Sequence, residues 1–326
     1  MDNIRLGFIG TGGISNLHAR QIMELDYVDI VALTDPSSDN REKFISTYQL
    51  KDVKEFTDHK DMLKNAQLDA VIICSPHTLH FEQATDVMNH GCHVLIEKPM
   101  ACSKEEADQL IETAEKLGRV LQVSYQRHFE PEFIYIRDAI AEGVIGDLRS
   151  VTASLYQQWG HGSKKVWRRN PALSGGGMLM DSGSHIIDVL LWTTGLKPLE
   201  VTTQLEKHHS TVELDSFTAI RFENDVIAGL NIVGYAPIWH ETYAFCGDKG
   251  GIFYDNGKIT LHLLGEDPIT PKLPEKKTNQ DKSFFDAILG KHEVMVPGHF
   301  AKGVVTLTEM IYEAAGYKPL ESETLK

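Results

Sequence analysis

Short apolar runs alternate with amphipathic segments through the first 124 residues. The runs that predict strands are Ile4–Ile9, Val28–Thr34, Leu68–Cys74, His93–Ile96 and Val120–Val123, and the predicted helices are Ile14–Leu25, Ser38–Tyr48, His77–Asn89 and Ser103–Leu117. Ser103 and Glu106 also form a Ser-x-x-Glu capping box, which marks a helix start. Short apolar strands that alternate with helices are typical of a parallel sheet covered on both faces. Residues 1–124 are therefore predicted to form a doubly wound α/β domain.

The pattern changes after a predicted helix at Pro131–Glu142. Alternating runs predict strands at Leu148–Tyr156, Val201–Glu206, Phe217–Phe222, Val226–Val233, Glu241–Cys246 and Lys258–Leu263, with a hairpin turn at Asn224-Asp225. One strong helix is predicted among them, Asp181–Trp192, and two follow an exposed Pro268–Lys282 loop, near Lys282–Leu289 and Phe300–Ala315. Residues 125–326 are thus expected to form an open, mostly antiparallel sheet with helices on one face. The 300–315 helix could pack back on the first domain.

Composition narrows the class of protein. The 326 residues are 42% hydrophobic and 24% charged, as in soluble globular proteins, and the net charge of -14 argues against nucleic-acid and anionic-membrane partners. The four cysteines form no C-x-x-C pair, so neither a zinc ribbon nor a redox motif is indicated. The N-terminus lacks the order of a signal peptide, and no apolar run is long enough to span a bilayer. A cytoplasmic protein is expected.

A glycine-rich segment follows the first predicted strand and opens the first helix. It reads Gly10-Thr11-Gly12-Gly13-Ile14-Ser15, a G-x-G-x-x-G pattern with Ser15 at the last position. Gly10 permits the tight turn, Gly12 lets the backbone approach a pyrophosphate, and the helix N-terminus supplies N–H donors. The position of the motif between a strand and a helix is what makes it a dinucleotide site.

Asp35 ends the second predicted strand, where an acidic residue is expected to meet the adenosine ribose. Its carboxylate would repel a 2′-phosphate, and Pro36-Ser37-Ser38 rather than an arginine follows it. These features favour NAD over NADP, although Arg41 could swing in. Asp35 could instead be a turn residue or helix cap.

Ser75-Pro76-His77 follows another predicted strand, and ligands bind beyond the carboxyl ends of strands in such sheets. Ser75, Pro76 and His77 are therefore expected to line the nicotinamide side of the cofactor. His80 is a further candidate for cofactor contact. Both histidines could equally be polar residues of a helix start.

Two further motifs suggest catalysis. Glu97-Lys98-Pro99 follows the His93–Ile96 strand, so Lys98 could hold a substrate hydroxyl and stabilise negative charge on it. Gly175-Gly176-Gly177 places backbone where a side chain would collide, and Asp181 and His185 follow four residues apart, one helical turn. A carboxylate beside an imidazole, whose ordinary pKa is about 6.5, is suited to proton transfer near neutral pH.

Together these motifs closely resemble the glucose–fructose oxidoreductase / inositol dehydrogenase (Gfo/Idh/MocA) family over essentially the whole chain. The similarity extends to Tyr125-Gln126-Arg127, Trp167-Arg168 and Gly298–Ala315. It implies a nucleotide-binding Rossmann domain, a C-terminal open sheet, and homodimers or homotetramers formed through that sheet. It also implies that Lys98, Asp181 and His185 are the catalytic group, with His185 the base, Lys98 bonded to the hydroxyl and Asp181 orienting the substrate.

Other residues are weaker candidates. Glu97, Lys98 and Gln126 are expected near the cofactor, and the candidates for substrate contact are Arg127, Trp159, His161, Trp167 and Arg168. Tryptophan faces and polar donors suit a polyhydroxylated ring, but each residue could equally be structural. Asp188 could support His185 or be an ordinary helix acid. No histidine–carboxylate cluster has convincing metal spacing, so no metal is expected.

The expected function is therefore NAD-dependent hydride transfer between nicotinamide and a carbinol of a sugar, an inositol-like cyclitol or a related polyol. Two alternatives remain open. Some members of the family are NAD-dependent glycoside hydrolases that oxidise the sugar transiently, and other relatives are non-catalytic NAD-sensing regulators. The presence of Lys98, Asp181 and His185 speaks against a regulator.

Overall fold

The computed structural model describes residues 3–162 and 167–321, and it divides into two compact units. The first unit runs to Gln126 and includes Thr278–Lys302, and the second comprises Arg127–Lys277 and the chain from Gly303 onwards. The sequence predicted a boundary after residue 124 and a second domain that took all of the remainder. The grouping of residues 278–302 with the first unit differs from that expectation, because a helix in this segment packs into the first core.

The first unit is built around a six-stranded sheet. Its elements up to residue 123 are β1 (Ile4–Ile9), α1 (Ser15–Ile22), β2 (Val28–Thr34), α2 (Ser38–Tyr48), β3 (Lys54–Phe56), α3 (His59–Asn65), β4 (Ala70–Ile73), α4 (His80–Asn89), β5 (His93–Ile96), α5 (Lys104–Leu117) and β6 (Leu121–Val123). All neighbouring strands are parallel, and their order is β3-β2-β1-β4-β5-β6. This is the strand order of a doubly wound dinucleotide-binding sheet, so the predicted fold class is confirmed.

The core of the first unit explains why most of its strand residues are apolar. All four residues of β4 are buried, and Phe8 of β1 packs against Phe44 of α2 with ring centroids 5.3 Å apart. Phe284 and Phe285, from the later segment, belong to the same apolar cluster and are fully buried. Their helix is therefore part of this core despite its distance in sequence.

The second unit is built around a seven-stranded sheet. Its elements are α6 (Pro131–Ala141), β7 (Leu148–Tyr156), α7 (Trp159–Gly162), α8 (Pro171–Ser174), α9 (Ser184–Thr194), β8 (Pro198–Glu206), β9 (Asp215–Phe222), β10 (Ile227–Val233), β11 (His240–Gly247), β12 (Gly250–Asp255) and β13 (Lys258–Leu263). The strand order is β13-β12-β11-β7-β10-β9-β8, and only β7 and β10 pair in parallel within the described residues. The expectation of a mostly antiparallel sheet is confirmed.

One face of this sheet is covered and the other is open. Along β9, buried and exposed residues alternate, and α9, which packs against α6, contacts β7 of the same sheet. On the other face Phe217 and Ile227 are 54% and 52% exposed, and Phe253 of β12 is also exposed. The sheet therefore presents apolar side chains on its uncovered face.

Two helices close the described chain, α10 (Gln280–Ile288) and α11 (Gly298–Ala314). The first turn of α11 belongs with the first unit, where His299 Nε2 lies 2.7 Å from Glu115 Oε1 of α5. The remainder of α11 belongs to the second unit. Among the described residues, no helix has the length and apolar character that crossing a membrane would require.

Several boundaries differ from the sequence predictions for identifiable reasons. The predicted helix Asp181–Trp192 begins instead as a π-helical turn, Leu179–Gly183, and becomes α-helical only at Ser184. The elements that the sequence did not predict include β3, α3 and β12, which are short and rich in polar residues or glycine, and the four-residue helices α7 and α8. The hairpin turn is confirmed, since Asn224 and Asp225 have φ values of 60° and 58° between antiparallel β9 and β10.

Candidate functional site

The glycine loop of the first unit leaves open space where a phosphate group would lie. Gly10 has a φ of +88°, and a Cβ there would lie 2.8 Å from the carbonyl oxygen of Cys74, so glycine is required. At Gly12 and Gly13 an added Cβ would meet nothing within 4 Å. No side chain caps the start of α1, and N–H groups at a helix N-terminus bind anions. The loop therefore fits a dinucleotide pyrophosphate.

The last predicted member of this loop has an internal role. Ser15 is buried, and its hydroxyl donates to the carbonyl oxygen of Gly12 over 2.8 Å. Thr11 is also buried, whereas Ile14 is 37% exposed at the mouth of the loop. The serine thus fixes the turn from inside, which is compatible with its replacement of the third glycine.

Asp35 is tied to the glycine loop. One carboxylate oxygen accepts from the Thr11 backbone N–H at 2.9 Å, and the other accepts from the Ser37 N–H at the same distance. Arg41 donates to the Asp35 backbone oxygen and, at 3.0 Å, to the carboxylate of Glu55. The charge of Arg41 is therefore balanced by Glu55, and the carboxylate of Asp35 dominates this corner of the loop.

Of the candidates that follow β4, His77 and His80 are buried, whereas Ser75 and Pro76 are partly exposed. The Ser75 hydroxyl donates to the side-chain oxygen of Gln83 at 2.5 Å, and His77 is 3% exposed. The ring of His80 lies between two backbone oxygens, 3.0 Å from that of Ser75 and 2.8 Å from that of Pro99. His80 thus ties the segment after β4 to the segment after β5.

Lys98 follows the carboxyl end of β5, directly after Glu97, whose side chain is fixed by hydrogen bonds. The peptide bond between Lys98 and Pro99 is cis. Glu97 is 7% exposed, and its carboxylate lies 3.0 Å from His18 Nε2 and 3.3 Å from the Lys98 backbone nitrogen. From 94 to 101, Lys98 is the one residue that is not buried.

Behind Glu97 lies a buried histidine that the sequence analysis did not single out. His18 of α1 is fully buried, and its Nδ1 lies 2.7 Å from Asp281 Oδ1 of α10. Burial alone would lower the pKa of His18, but the nearby carboxylate of Asp281 raises it well above its ordinary value. A protonated imidazole between two buried carboxylates therefore links α1, the end of β5 and α10.

In the second unit, three predicted residues meet at one carboxylate. Asp181 is 5% exposed, and its Oδ2 accepts from Trp159 Nε1 at 2.8 Å and from Arg168 Nε at 2.7 Å. The Arg168 guanidinium also lies over the ring of Trp167, 4.5 Å from the centroid. Asp181 is therefore held in one orientation by a tryptophan and an arginine.

His185 lies one residue into α9 and differs from its neighbours in exposure. Every residue from 174 to 191 is buried except His185, which is partly exposed. An ionisable side chain that reaches the surface from a wholly buried segment is a candidate for contact with a ligand. Lys98 has the same property in the first unit.

The remaining candidates are less accessible or peripheral. Arg127 is buried and paired with Glu241 at 2.6 Å, and Gln126 is partly buried at the end of the first unit. His161 is exposed, with its ring in edge contact with Tyr235. Arg127 thus has a buried structural partner, and the role of His161 in substrate binding stays a prediction.

Asp188, which the sequence suggested as a support for His185, forms a hydrogen bond with His128. Asp188 Oδ1 lies 2.7 Å from His128 Nε2, and both side chains are almost completely buried. Burial raises the pKa of Asp188, and the interaction with His128 opposes that effect. His128 in turn stacks on Trp192 with ring centroids 4.0 Å apart. This pair connects the start of the second unit to α9.

Two family models match the chain in succession. The first, described as the oxidoreductase family with an NAD-binding Rossmann fold, matches residues 4–125, and the second, the GFO/IDH/MocA C-terminal domain, matches residues 133–253. The chain belongs to the Gfo/Idh/MocA oxidoreductase family. The two matches correspond to the parallel and the mostly antiparallel sheets.

Other members of the Gfo/Idh/MocA family align over nearly the full length. D-glucoside 3-dehydrogenase of Escherichia coli is 25% identical, with 96% of this chain and 95% of that protein covered. An aldose–aldose oxidoreductase from Caulobacter crescentus, solved with glycerol, superposes with a TM-score of 0.86 at 22% identity, covering 96% and 98%. The WlbA dehydrogenase from Bordetella pertussis, solved with NADH and UDP-GlcNAcA, gives 0.84 at 21% identity, covering 97% and 96%. At these identities the two structures establish the fold alone.

One cluster of side chains in the first unit has the spacing of a cation site, although the sequence predicted no metal. His59, Glu82 and Asp86 bring ligand atoms within 4.8 Å of one another. Lys60 Nζ, however, lies 2.6 Å from Glu82 and 3.7 Å from Asp86, so an ammonium group already balances these carboxylates. The cluster is an ion-pair network on the surface of the first unit.

Sequence reasoning missed the partner of the triple glycine. Glu213 is 1% exposed and accepts from the backbone of Gly177 and Leu179. Burial raises the pKa of its carboxyl to about 7, although bonds from Tyr312 and from the backbone of Gly177 and Leu179 oppose the rise. The glycines signalled a close approach, but nothing around position 213 identified what approaches.

Proposed function

We propose that this chain is an NAD-dependent oxidoreductase that transfers hydride between nicotinamide and a carbinol carbon of a sugar, cyclitol or related polyol. The observation that carries the proposal is the exposure of Lys98 and His185, each the one accessible side chain in an otherwise buried segment. Both lie in motifs that match the family. Two similar proteins, a glucoside dehydrogenase and an aldose–aldose oxidoreductase, support the substrate class.

The cofactor site is proposed from the glycine loop and Asp35. The open space over Gly12 and Gly13 at the start of α1 would hold the pyrophosphate, and Asp35 would face the adenosine ribose. A 2′-phosphate would meet the Asp35 carboxylate, while the nearest arginine, Arg41, is bonded to Glu55. NAD is therefore preferred over NADP. When bound, NAD supplies the acceptor for hydride from the carbinol carbon.

The three catalytic roles follow from the chemistry of the side chains. The His185 imidazole takes the proton of the substrate hydroxyl, and the Lys98 ammonium donates a hydrogen bond to the oxygen as it gains negative charge. Asp181, held by Trp159 and Arg168, orients the substrate and balances charge. In this mechanism His185 removes the proton and Lys98 stabilises the oxygen that loses it, so the reaction uses both residues.

The substrate class is tested with a panel of inositols, aldoses and sugar acids, each offered with NAD and with NADP. Formation of reduced nicotinamide is followed by absorbance. We expect turnover with at least one polyol or sugar and with NAD in preference. Nitrophenyl glycosides in the same panel test the alternative, because a glycoside hydrolase would release nitrophenol without net reduction of NAD. A chain that binds NAD and turns over nothing would instead support the regulator.

The catalytic assignment is tested with Lys98→Ala and His185→Ala. Each should lower kcat by roughly a hundredfold or more, the typical contribution of a positioned acid–base group, while NAD binding persists. Lys116→Ala and His292→Ala are matched controls, since both side chains are exposed and outside the motifs. Near-normal turnover in either test variant would remove that residue from the mechanism.

Asp35→Ala tests the cofactor assignment separately. Loss of the carboxylate should weaken NAD binding and reduce discrimination against NADP, measured as the ratio of the two dissociation constants. Because Asp35 also binds the Thr11 N–H, the variant is compared in thermal stability with the wild type. An unchanged ratio would show that Asp35 does not discriminate between the riboses of NAD and NADP.

Assembly into a homodimer or homotetramer is proposed through the open face of the second sheet. Phe217 and Ile227 are more than half exposed there, and a second copy would cover them. Light scattering after gel filtration should give a multiple of 36.5 kDa, and Phe217→Glu should lower that mass. A wild-type monomer at micromolar concentration would overturn this assignment.

A further inference from the structure

The turn that leads into Asp181 is held by a carboxylate from a distant part of the chain. Glu213 lies two residues before β9 begins, and its carboxylate accepts from the Gly177 N–H at 2.8 Å and from the Leu179 N–H at 3.2 Å. Its backbone oxygen accepts from the Met178 N–H at 3.0 Å. Three successive N–H groups are therefore satisfied by one residue, 34 to 36 positions away in sequence.

The glycines of the motif are what allow this approach. A Cβ on Gly177 would lie 1.9 Å from the Glu213 backbone oxygen and 2.8 Å from its carboxyl group. A Cβ on Gly176 would lie 2.3 Å from Tyr312 Oη. All three distances are below 3.0 Å, which real Cβ atoms essentially never show, so a side chain does not fit at either position. The space at these two glycines is filled by Glu213 and Tyr312.

The carboxylate acts as a cap supplied from outside the helix. A helix start leaves its first N–H groups without partners, and neither Met178 nor Gly183, at the starts of the π-turn and α9, provides a side-chain cap. A negative group at this end is also favoured by the helix dipole. Tyr312 of α11 completes the arrangement by donating its hydroxyl to Glu213 Oε1 at 2.8 Å.

The capped turn is directly connected to the candidate catalytic residues. The Asp181 N–H donates to the Gly177 backbone oxygen at 3.0 Å, so the position of Gly177 sets that of Asp181. The Asp181 carboxylate then reaches Trp159 and Arg168, and His185 follows within the next turn of helix. A shift of the cap would therefore move Asp181 relative to its two donors.

We propose that Glu213 and Tyr312 are positioning residues for the reaction proposed above: they fix the Gly177–Leu179 turn and thereby the placement of Asp181 and His185. Both are almost completely buried and hydrogen-bonded to each other, so they act through the turn. A purely structural role would lower stability without changing turnover by the folded protein. A positioning role requires, in addition, that loss of either residue changes the hydrogen bonding of the Asp181 carboxylate in the folded protein.

The test compares Glu213→Gln and Tyr312→Phe with Thr308→Val. Thr308 is a buried hydroxyl one turn earlier on α11 that bonds only within its own helix in the described contacts, so its loss is a matched control. We expect kcat to fall by about tenfold or more in the two test variants and to stay near the wild-type value in the control. The NAD dissociation constant should be unchanged in all three, because the glycine loop belongs to the first unit.

A second readout does not depend on activity. The indole N–H of Trp159 donates to Asp181, so its NMR resonance in ¹⁵N-labelled full-length protein reports that bond; Trp159→Phe assigns it. Asp181→Asn gives the reference displacement. Glu213→Gln and Tyr312→Phe should move the Trp159 resonance in the same direction, and the signal of exposed Trp239 should stay in place.

The two readouts separate this proposal from the proposed function. If no compound in the panel is turned over, the function fails, and the Trp159 resonance alone decides about positioning. If the wild type is active, a Trp159 resonance that stays in place in both variants overturns the proposal, whatever happens to kcat. Should Glu213→Gln fail to fold, Tyr312→Phe, which removes one hydroxyl, gives the same two outcomes.

Discussion

Replacing Glu213 by glutamine should remove a pH dependence from the free energy of unfolding. Burial raises the pKa of Glu213 to about 7 from an ordinary 4.5, even though the Tyr312 hydroxyl and the N–H groups of Gly177 and Leu179 favour its charged form. In the described structure the titratable group that faces it is Tyr312, whose ring contacts Tyr317. Among the described contacts of the Glu213 carboxyl, no cation offsets the cost of its ionisation.

The direction of the effect follows from proton linkage. Because the folded state holds the Glu213 proton up to about pH 7 and the unfolded state releases it near 4.5, folding is favoured at low pH. The contribution is fully present below pH 4.5, is lost as the pH rises towards 7, and changes little above that. At about 1.4 kcal/mol per pH unit, the gap corresponds to about 3 kcal/mol.

The assay is denaturant unfolding of the wild type and of Glu213→Gln at a series of pH values. Other groups titrate over the same range, so the informative quantity is the difference in unfolding free energy between the two proteins. That difference should change by roughly 3 kcal/mol between acid and mildly alkaline pH, in favour of the variant as the pH rises. Parallel curves for the two proteins would show that Glu213 titrates normally and that the physical account of its burial is wrong.

Two further predictions contrast the glycines and test the buried histidine. Gly177→Ala should destabilise the protein by about 3 kcal/mol, because its Cβ would collide with Glu213, whereas Gly12→Ala should change stability by less than about 0.5 kcal/mol and instead weaken NAD binding. Equal thermal stability of the two variants would contradict this. His18→Gln should cost about 3 kcal/mol at neutral pH, because it leaves the carboxylates of Glu97 and Asp281 without their shared cation. An unfolding midpoint equal to that of the wild type would show that His18 is neutral.

The parts of the fold that could be predicted are those whose signal is local. Parallel strands such as Val28–Thr34 and His93–Ile96 are mostly apolar runs, and their bounds agree with the structure. Lys54–Phe56 was missed because a three-residue edge strand with two exposed polar residues carries no apolar pattern. Gly250–Asp255 was missed because it opens with two glycines, which normally indicate a turn. Tertiary pairing alone makes these segments strands.

The candidate site shows the same division. Lys98 and His185 were found because they lie in short motifs, and their partial exposure can be seen only after folding. The roles of His18 and Glu213 could not be predicted, since each depends on a partner far along the chain. Asp281 lies 263 residues from His18, and no periodicity or spacing connects the two. Sequence reasoning thus identified residues with accessible chemistry and missed those that hold them in place.

The two glycine motifs of this chain carry opposite physical meanings. At Gly12 and Gly13 an added Cβ would meet empty space, so glycine is useful there only if something outside the protein comes close. At Gly176 and Gly177 the space is filled by the protein's own Tyr312 and Glu213, so glycine is needed for the fold itself. Where the backbone needs no positive φ, a glycine whose missing side chain faces open space therefore indicates a ligand, and one whose missing side chain faces buried polar atoms indicates an internal support. By this criterion the first motif fits the proposed cofactor site, and the second supports the proposed catalytic residues from inside the fold.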